Sequence, residues 1–72
     1  MSRFSGQRMR ESRIRAGKSR EQLAVELGRG YSTIAAWENG PNVPPLRVLC
    51  RVADALGVQL TDLVEDDSEV AT

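Results

Sequence analysis

Residues 19 to 40 read SREQLAVELGRGYSTIAAWENG, and this stretch decides the fold. It opens on Ser19 with Gln22 three residues later, which is the spacing of a capping box, where side chains satisfy two free helix amides. The apolar residues that follow keep helical spacing until Gly28, a residue type that commonly ends helices. A second helical pattern starts at Tyr31, so about three residues join the two helices. Helices joined so closely cross at a steep angle, and the stretch therefore predicts a helix-turn-helix unit.

Helices are also predicted on both sides of this unit. Apolar residues at helical spacing predict a first helix over about residues 5–16. Pro45 is suited to the first position of a fourth helix, because its missing amide hydrogen would be unpaired there in any case. The apolar face of that helix is predicted to consist of Leu46, Leu49, Cys50, Ala53 and Leu56. We therefore expect Cys50 in the core, together with Ile34 and Trp37 of the third helix.

The remaining pattern sets the extent of the domain. A last short helix is expected around residues 60–64, and no strand is required anywhere. The stretch from Glu65 onward has too little apolar content to order itself. The sequence thus predicts an all-α, five-helix domain over residues 1–64, followed by an acidic, disordered tail over residues 65–72.

Composition excludes several classes of protein. The chain has 72 residues, of which 40% are apolar and 28% charged, as in a soluble globular domain. No apolar run approaches the roughly 20 residues of a membrane-spanning helix, and the N-terminal stretch does not read as a secretory signal, so a cytoplasmic location is expected. With one cysteine and no histidine there is no disulfide and no ligand set for zinc. Nothing in the sequence points to an enzyme or a cofactor.

The net charge of zero hides a separation of charge along the chain. Residues 1–51 carry all ten basic residues and four glutamates, a net charge of +6, whereas the last 21 residues carry six acids and no base. This asymmetry suits a basic face for phosphate with an acidic tail held away from it. An ordinary solvated helix surface with an acidic end explains the charges equally well.

The order of particular residues narrows the choice of fold. A characteristic spacing relates a series of short segments: Leu23-Ala24, Leu27-Gly28, Thr33-Ile34, Trp37-Glu38-Asn39-Gly40, Pro44, Leu46, Leu49 and residues 53–58. In this order the sequence resembles the lambda-repressor-like family of phage repressors, Cro proteins and short bacterial regulators, over about residues 6–64. The resemblance implies that the third helix reads base edges in the major groove while the second lies across the DNA backbone.

The resemblance places the candidate DNA contacts on and around the second and third helices. The candidates for base contact lie in the third helix: Tyr31, Ser32, Thr33, Ala35 and Ala36. The candidates for phosphate contact lie at the start of the second helix, in the turn and after the third helix: Lys18, Ser19, Arg20, Arg29, Asn39 and Asn42. Other interpretations stay open: Tyr31 would cover part of the core, Thr33 would cap its helix, or Arg29 would be a solvated charge.

Three departures from the family pattern predict modest direct readout. Arg20 stands where the family usually has glutamine, which preserves a phosphate contact but puts a base contact in doubt. Gly30 replaces the usual Ser or Thr N-cap of the third helix, at a cost of a few tenths of a kcal/mol. Ala35 and Ala36 lack the long polar groups that make bidentate base contacts. Specificity is therefore expected to depend on Tyr31, Ser32, DNA shape and dimer spacing.

Two further contacts are expected. The resemblance implies an ion pair between Arg13 and Glu38 that joins the first helix to the end of the third. The alternative is two independent surface charges.

One domain reads about half a site, so a homodimer on a palindromic operator is expected. Its interface is predicted from apolar residues not needed in the core, namely Val48, Val52 and Val58.

The sequence thus predicts a small transcriptional regulator, a repressor, that binds a specific site in double-stranded DNA without a small-molecule effector. A different class stays open, in which the same shape serves as a protein-interaction module, for example an antitoxin-like partner. The basic residues near the second helix disfavour this class, and the alanine-rich third helix slightly favours it.

Overall fold

The helices form close to their predicted bounds. The structure is a computed structural model that describes residues 2–66, and within them four α-helices occur: α1 (Gly6–Arg15), α2 (Arg20–Leu27), α3 (Tyr31–Asn39) and α4 (Leu46–Leu56). The last short helix forms where it was expected, but as a four-residue 3-10 helix at Leu60–Leu63, so a count of five α-helices is not confirmed. No helix among residues 2–66 is both long enough and apolar enough to cross a membrane.

Two short strands, which the sequence analysis did not predict, join the two ends of the described chain. Strand β1 (Ser2–Phe4) pairs with β2 (Val64–Asp66) in antiparallel register, with Arg3 opposite Glu65. Opposite charges facing each other across an antiparallel pair stabilise it modestly. The domain therefore extends through residue 66 rather than ending at 64, and the rest of the predicted acidic tail, residues 67–72, lies outside the described residues.

The core lies between the helices and beneath the strands. α2 packs against both α3 and α4, and α1 packs against α3 and the 3-10 turn. The predicted core residues Ile34 and Trp37 are buried, with 0% and 6% of their surface exposed. The other buried apolar side chains are Met9, Leu23, Ala24, Leu27, Val48, Leu49, Val52, Ala53, Leu56 and Leu63.

The apolar face predicted for α4 was wrong in part. Leu49, Ala53 and Leu56 are buried as expected, but Leu46 is 68% exposed and Cys50 is also exposed. Their places in the core are taken by residues two positions further along the helix. Because α4 carries apolar side chains on more than one side, packing against α2 and the 3-10 turn decides which side is buried.

The same packing corrects the predicted dimer interface. Val48 and Val52 were expected outside the core, but they are 5% and 0% exposed and belong to it. Val58 is half-buried and packs against the core. Val48 and Val52 are therefore not free to contact a second chain.

Local sequence sets the helix-turn-helix geometry. In the predicted capping box, the Ser19 hydroxyl accepts from the Gln22 amide at 3.0 Å, and the Gln22 side chain accepts from the Ser19 amide at 2.8 Å. α2 ends at Gly28, whose φ of 66° is left-handed backbone that favours glycine. Gly30 starts α3 without a side-chain cap, as predicted. The three-residue connection is thus confirmed.

Ser12 is a polar side chain in the apolar interior. It is 2% exposed, and among the described residues its hydroxyl oxygen has no hydrogen-bond partner. A buried hydroxyl without a partner costs free energy, because its lost bonds with water are not replaced. We therefore expect Ser12→Ala to raise the free energy of unfolding by about 1 kcal/mol. Urea denaturation followed by Trp37 fluorescence measures this, and a clear loss of stability would contradict the unpartnered hydroxyl.

Candidate nucleic-acid interface

The first turn of α3 presents the most accessible of the predicted base-contacting side chains. Tyr31 is 46% exposed and Ser32 is also exposed, whereas Thr33, Ala35 and Ala36 are half-buried. Within residues 2–66, no side-chain hydrogen bond involves Ser32 or Thr33, so neither acts as a helix cap. The accessible part of the predicted reading surface is therefore the pair Tyr31 and Ser32.

The residues predicted to contact phosphate differ in exposure and in hydrogen bonding. Arg29 in the turn is exposed, as are Asn39 and Asn42 beyond the end of α3. The Ser19 hydroxyl accepts from the Gln22 amide, which leaves its own hydrogen available for donation. These four residues keep polar groups that an anion is able to reach.

Lys18 already has hydrogen-bond partners within the protein. Its ammonium group donates to the Glu26 carboxylate at 2.7 Å and to the Ala55 carbonyl oxygen at 2.7 Å. The side chain therefore links the connection between α1 and α2 to the end of α4. Two of the three ammonium donors are thus used within the protein, and a phosphate contact by Lys18 stays a prediction.

Glu38 lies between two arginines. Its side chain is 0% exposed and accepts from Arg13 Nε at 2.7 Å and from Arg13 Nη2 at 3.3 Å, which is a bidentate pair. The ion pair that the resemblance implied is thus present. Arg13 Nη1 also donates to the Lys18 carbonyl oxygen at 2.8 Å. These bonds fasten α1 to the end of α3.

Arg20 makes a second bond to the same carboxylate. Its Nε donates to Glu38 Oε1 at 2.9 Å and its Nη1 to the Tyr31 hydroxyl at 3.2 Å. The hydrogen bond with Tyr31, and next the one with Glu38, raise the pKa of the Arg20 guanidinium, so this group stays charged. Two of the five guanidinium donors are thus bonded to neighbouring side chains, and the predicted phosphate contact by Arg20 stays a prediction.

One residue near this surface was missed by the sequence analysis. Arg10 is exposed on α1 and lines one cleft together with Asn39 and Glu38. Its position three residues before Arg13 was the available signal, because residues three apart share a helix face. Arg10 is thus an exposed cation near the C-terminal end of α3, whereas Arg29 lies in the turn before the first residue of that helix.

Most acids near this surface are paired with basic side chains or lie elsewhere on α2, but the exposed Glu11 lines the same cleft as Arg10 and Asn39. Glu38 is buried between two arginines, and Glu26 is bound by Lys18. Glu21 and Glu26 line a cleft on the outer side of α2 together with Val25. The exposed first turn of α3 therefore carries neutral polar groups beside Arg29, and the Glu38 carboxylate near the other end of the helix is paired with Arg13 and Arg20.

Comparison with known proteins identifies a family to which this arrangement of helices is similar. A family model described as a helix-turn-helix domain matches residues 6–66. An uncharacterized HTH-type transcriptional regulator from Archaeoglobus fulgidus is 34% identical over 64 residues, which cover 88% of this chain and 91% of that protein.

Several solved structures are similar as well. The restriction-modification controller protein C.AhdI from Aeromonas hydrophila is 34% identical with a TM-score of 0.75, over 81% of this chain and 88% of that one. The N-terminal DNA-binding domain of the biofilm regulator SinR from Bacillus subtilis is 26% identical with a TM-score of 0.70, over 88% and 93%. A substrate complex of HppE is 30% identical with a TM-score of 0.80, but the match covers only 35% of that chain. The lambda-repressor-like resemblance is confirmed, and the chain belongs to the helix-turn-helix domain family.

Proposed function

We propose that this protein binds a specific site in double-stranded DNA by inserting α3 into the major groove, and that it thereby represses transcription. The observation that carries the proposal is the exposed first turn of α3, where Tyr31 and Ser32 project from a well-packed body beside Arg29. A helix of this kind fits a major groove about 12 Å wide. The described regulators and the DNA-binding domain of SinR support the same function for this chain.

The division of labour follows from the placement of the side chains. Tyr31 and Ser32 contact base edges, and the half-buried Thr33, Ala35 and Ala36 add apolar contacts, including methyl contacts to thymine. Ser19, Arg29, Asn39 and Asn42 contact phosphate, with Arg10 as an addition. Because α3 offers few long polar groups, sequence-dependent DNA shape carries part of the specificity.

The protein acts as a homodimer on a palindromic operator in this proposal, since one domain covers about half a site. Val43 and Leu46, at 64% and 68% exposed, and Cys50 form the accessible apolar surface at the start of α4. With Val48 and Val52 in the core, this surface and Val58 replace the interface predicted from the sequence.

We propose no catalytic role. The chain contains no histidine, and among residues 2–66 no group of three metal-ligating side chains gathers. Cys50, the sole cysteine, lies exposed on α4.

Selection of bound duplexes from a random DNA pool tests the proposal most directly. We expect an enriched inverted repeat, which would report the site, its symmetry and its spacing together. Affinity for that duplex is expected to fall steeply with salt concentration, because phosphate contacts release counterions. Failure to bind any duplex even in dilute buffer would favour the protein-interaction module instead.

Ser32→Glu is expected to weaken binding to the selected duplex by about tenfold or more, because it places a negative charge where phosphates approach. Val25→Glu is the matched control, since Val25 is 80% exposed on the outer side of α2 beside existing glutamates. We expect the control to bind within about twofold of the unmodified protein. Fluorescence anisotropy measures both, and equal effects of the two variants would contradict the assignment of the reading surface.

A further inference from the structure

Arg20 connects the buried interior to the first residue of α3. Its Nε donates at 2.9 Å to the carboxylate of Glu38, whose side chain is 0% exposed. Its Nη1 donates at 3.2 Å to the Tyr31 hydroxyl, and the guanidinium carbon lies 6.0 Å from the centroid of the Tyr31 ring. The planar guanidinium thus donates from Nε to a buried carboxylate and from Nη1 to an exposed phenol.

The direction of these hydrogen bonds determines what the phenol is able to do. A phenolic hydroxyl is both donor and acceptor, and Arg20 has donors only. When Arg20 donates to the Tyr31 oxygen, the hydroxyl hydrogen is left for an acceptor elsewhere. Tyr31 is 46% exposed, so that acceptor is able to come from outside the protein.

Fixing the phenol in advance also lowers the entropic cost of binding. An exposed tyrosine side chain samples several rotamers, and binding must select one of them. A hydrogen bond from a group that is itself held by a buried carboxylate restricts this choice before the ligand arrives. The phenol is therefore presented in one orientation.

We propose that Arg20 is a positioning residue for DNA recognition: held by Glu38, it orients Tyr31 so that the phenol donates a hydrogen bond to an acceptor on the duplex. This inference rests on the proposed function. It assigns Arg20 a role different from the plain phosphate contact expected from the sequence, because two of its donors are directed to side chains of the protein. It also makes Tyr31 the dominant direct reader on an alanine-rich helix.

Affinities of four variants test the coupling: Arg20→Gln, Arg20→Lys, Tyr31→Phe and the double variant Arg20→Gln/Tyr31→Phe. For the selected duplex, Tyr31→Phe alone is expected to lower the affinity about fivefold. When Arg20 is already replaced, the same change is expected to lower it by less than about twofold. Arg20→Lys keeps the charge but lacks the planar fork, so it is expected to lose operator affinity while the dependence on salt is preserved. Against a scrambled duplex, Tyr31→Phe is expected to have little effect.

Arg29→Gln is the matched control, because Arg29 is an exposed arginine near the same surface. Among residues 2–66, its side chain has no hydrogen-bond or ion-pair partner. It is expected to weaken binding to the selected and the scrambled duplex alike. It is also expected to reduce by about 1 the slope of log affinity against log salt concentration. If Arg20→Gln behaves like this control, and its effect adds to that of Tyr31→Phe, Arg20 is a phosphate contact and the proposal is overturned.

A measurement on the free protein separates this inference from the proposed function. Tyr31 is the only tyrosine, so its labelled ring gives a single set of NMR signals. We expect nuclear Overhauser contacts between this ring and the Arg20 side chain, and ring signals in Arg20→Gln shifted toward those of an unconstrained tyrosine. Absence of these contacts would overturn the positioning role even if DNA binds. Contacts without binding to any duplex would instead refute the proposed function, and with it the role of Tyr31 as a reader.

Discussion

Replacing Glu38 with glutamine is expected to lower the free energy of unfolding by about 3–5 kcal/mol. The substitution keeps the shape of the side chain but removes the negative charge that Arg13 and Arg20 share. The Glu38 side chain is 0% exposed and that of Arg13 is 10% exposed, so water is unable to replace the lost partner. A domain of this length has a total stability of roughly 4–11 kcal/mol. The substitution is therefore expected to remove a large fraction of the total stability.

Urea denaturation followed by Trp37 fluorescence measures this effect, since Trp37 is the only tryptophan and is buried beside Glu38. Glu21→Gln is the control, because Glu21 is exposed and is expected to change stability by less than about 1 kcal/mol. A double-mutant cycle with Arg13→Ala and Glu38→Ala isolates the pair itself. Strictly additive losses in that cycle would show that the ion pair contributes nothing.

Gly6→Ala is expected to cost about 3 kcal/mol of unfolding free energy, although glycine-to-alanine changes within helices usually stabilise them. Gly6 begins α1 where it meets the end of α3. An added Cβ would clash with the carbonyl oxygens of Trp37 and Glu38 and would lie 2.8 Å from the Glu38 carbonyl carbon. These are backbone atoms, so relief requires the two helices to move apart. That movement would also disturb the Arg13–Glu38 pair.

Gly30→Ala is the matched control for this substitution. Gly30 has a negative φ of −81°, and an added Cβ there meets nothing within 4 Å. We expect its stability to stay within about 1 kcal/mol of the unmodified protein. Thermal unfolding of the two variants side by side checks the prediction, and similar stabilities would contradict the close approach of α1 and α3.

The helix-turn-helix unit was predictable because its signals are local. The capping box at Ser19 and Gln22, and Gly28 after α2, act within a few residues of one another, and both are confirmed. The burial of Ile34 and Trp37 followed equally from helical spacing. The pair of Arg13 and Glu38 spans 25 residues and came from family resemblance rather than from any local pattern.

What the sequence did not predict depends on contacts between distant residues. The strands pair Ser2 with Asp66, and no local feature of three-residue segments announces such pairing. Lys18 donates to a carbonyl 37 residues away, which only the packing of α4 brings near. The buried side of α4 was decided in the same way, so Cys50 was placed wrongly in the core.

The candidate site was predictable to a similar degree. The exposure of Tyr31 and Ser32 followed from their place in the first turn of α3, opposite the buried side. The bond from Arg20 to Tyr31 did not, because it crosses the turn and requires both residues to lie on one side of it. The structure thus adds the connections between side chains that a linear pattern does not contain.

The ladder between β1 and β2 also has a practical meaning for protein engineering. Because Ser2 faces Asp66 across adjacent strands, both ends of the described chain emerge at one point on the surface. A linker of a few residues is long enough to join them, and new termini could then be opened in the exposed connection before α4, which would yield a circular permutant. A fluorescent label placed next to Ser2 or next to Asp66 would leave the described part of the chain from that same point.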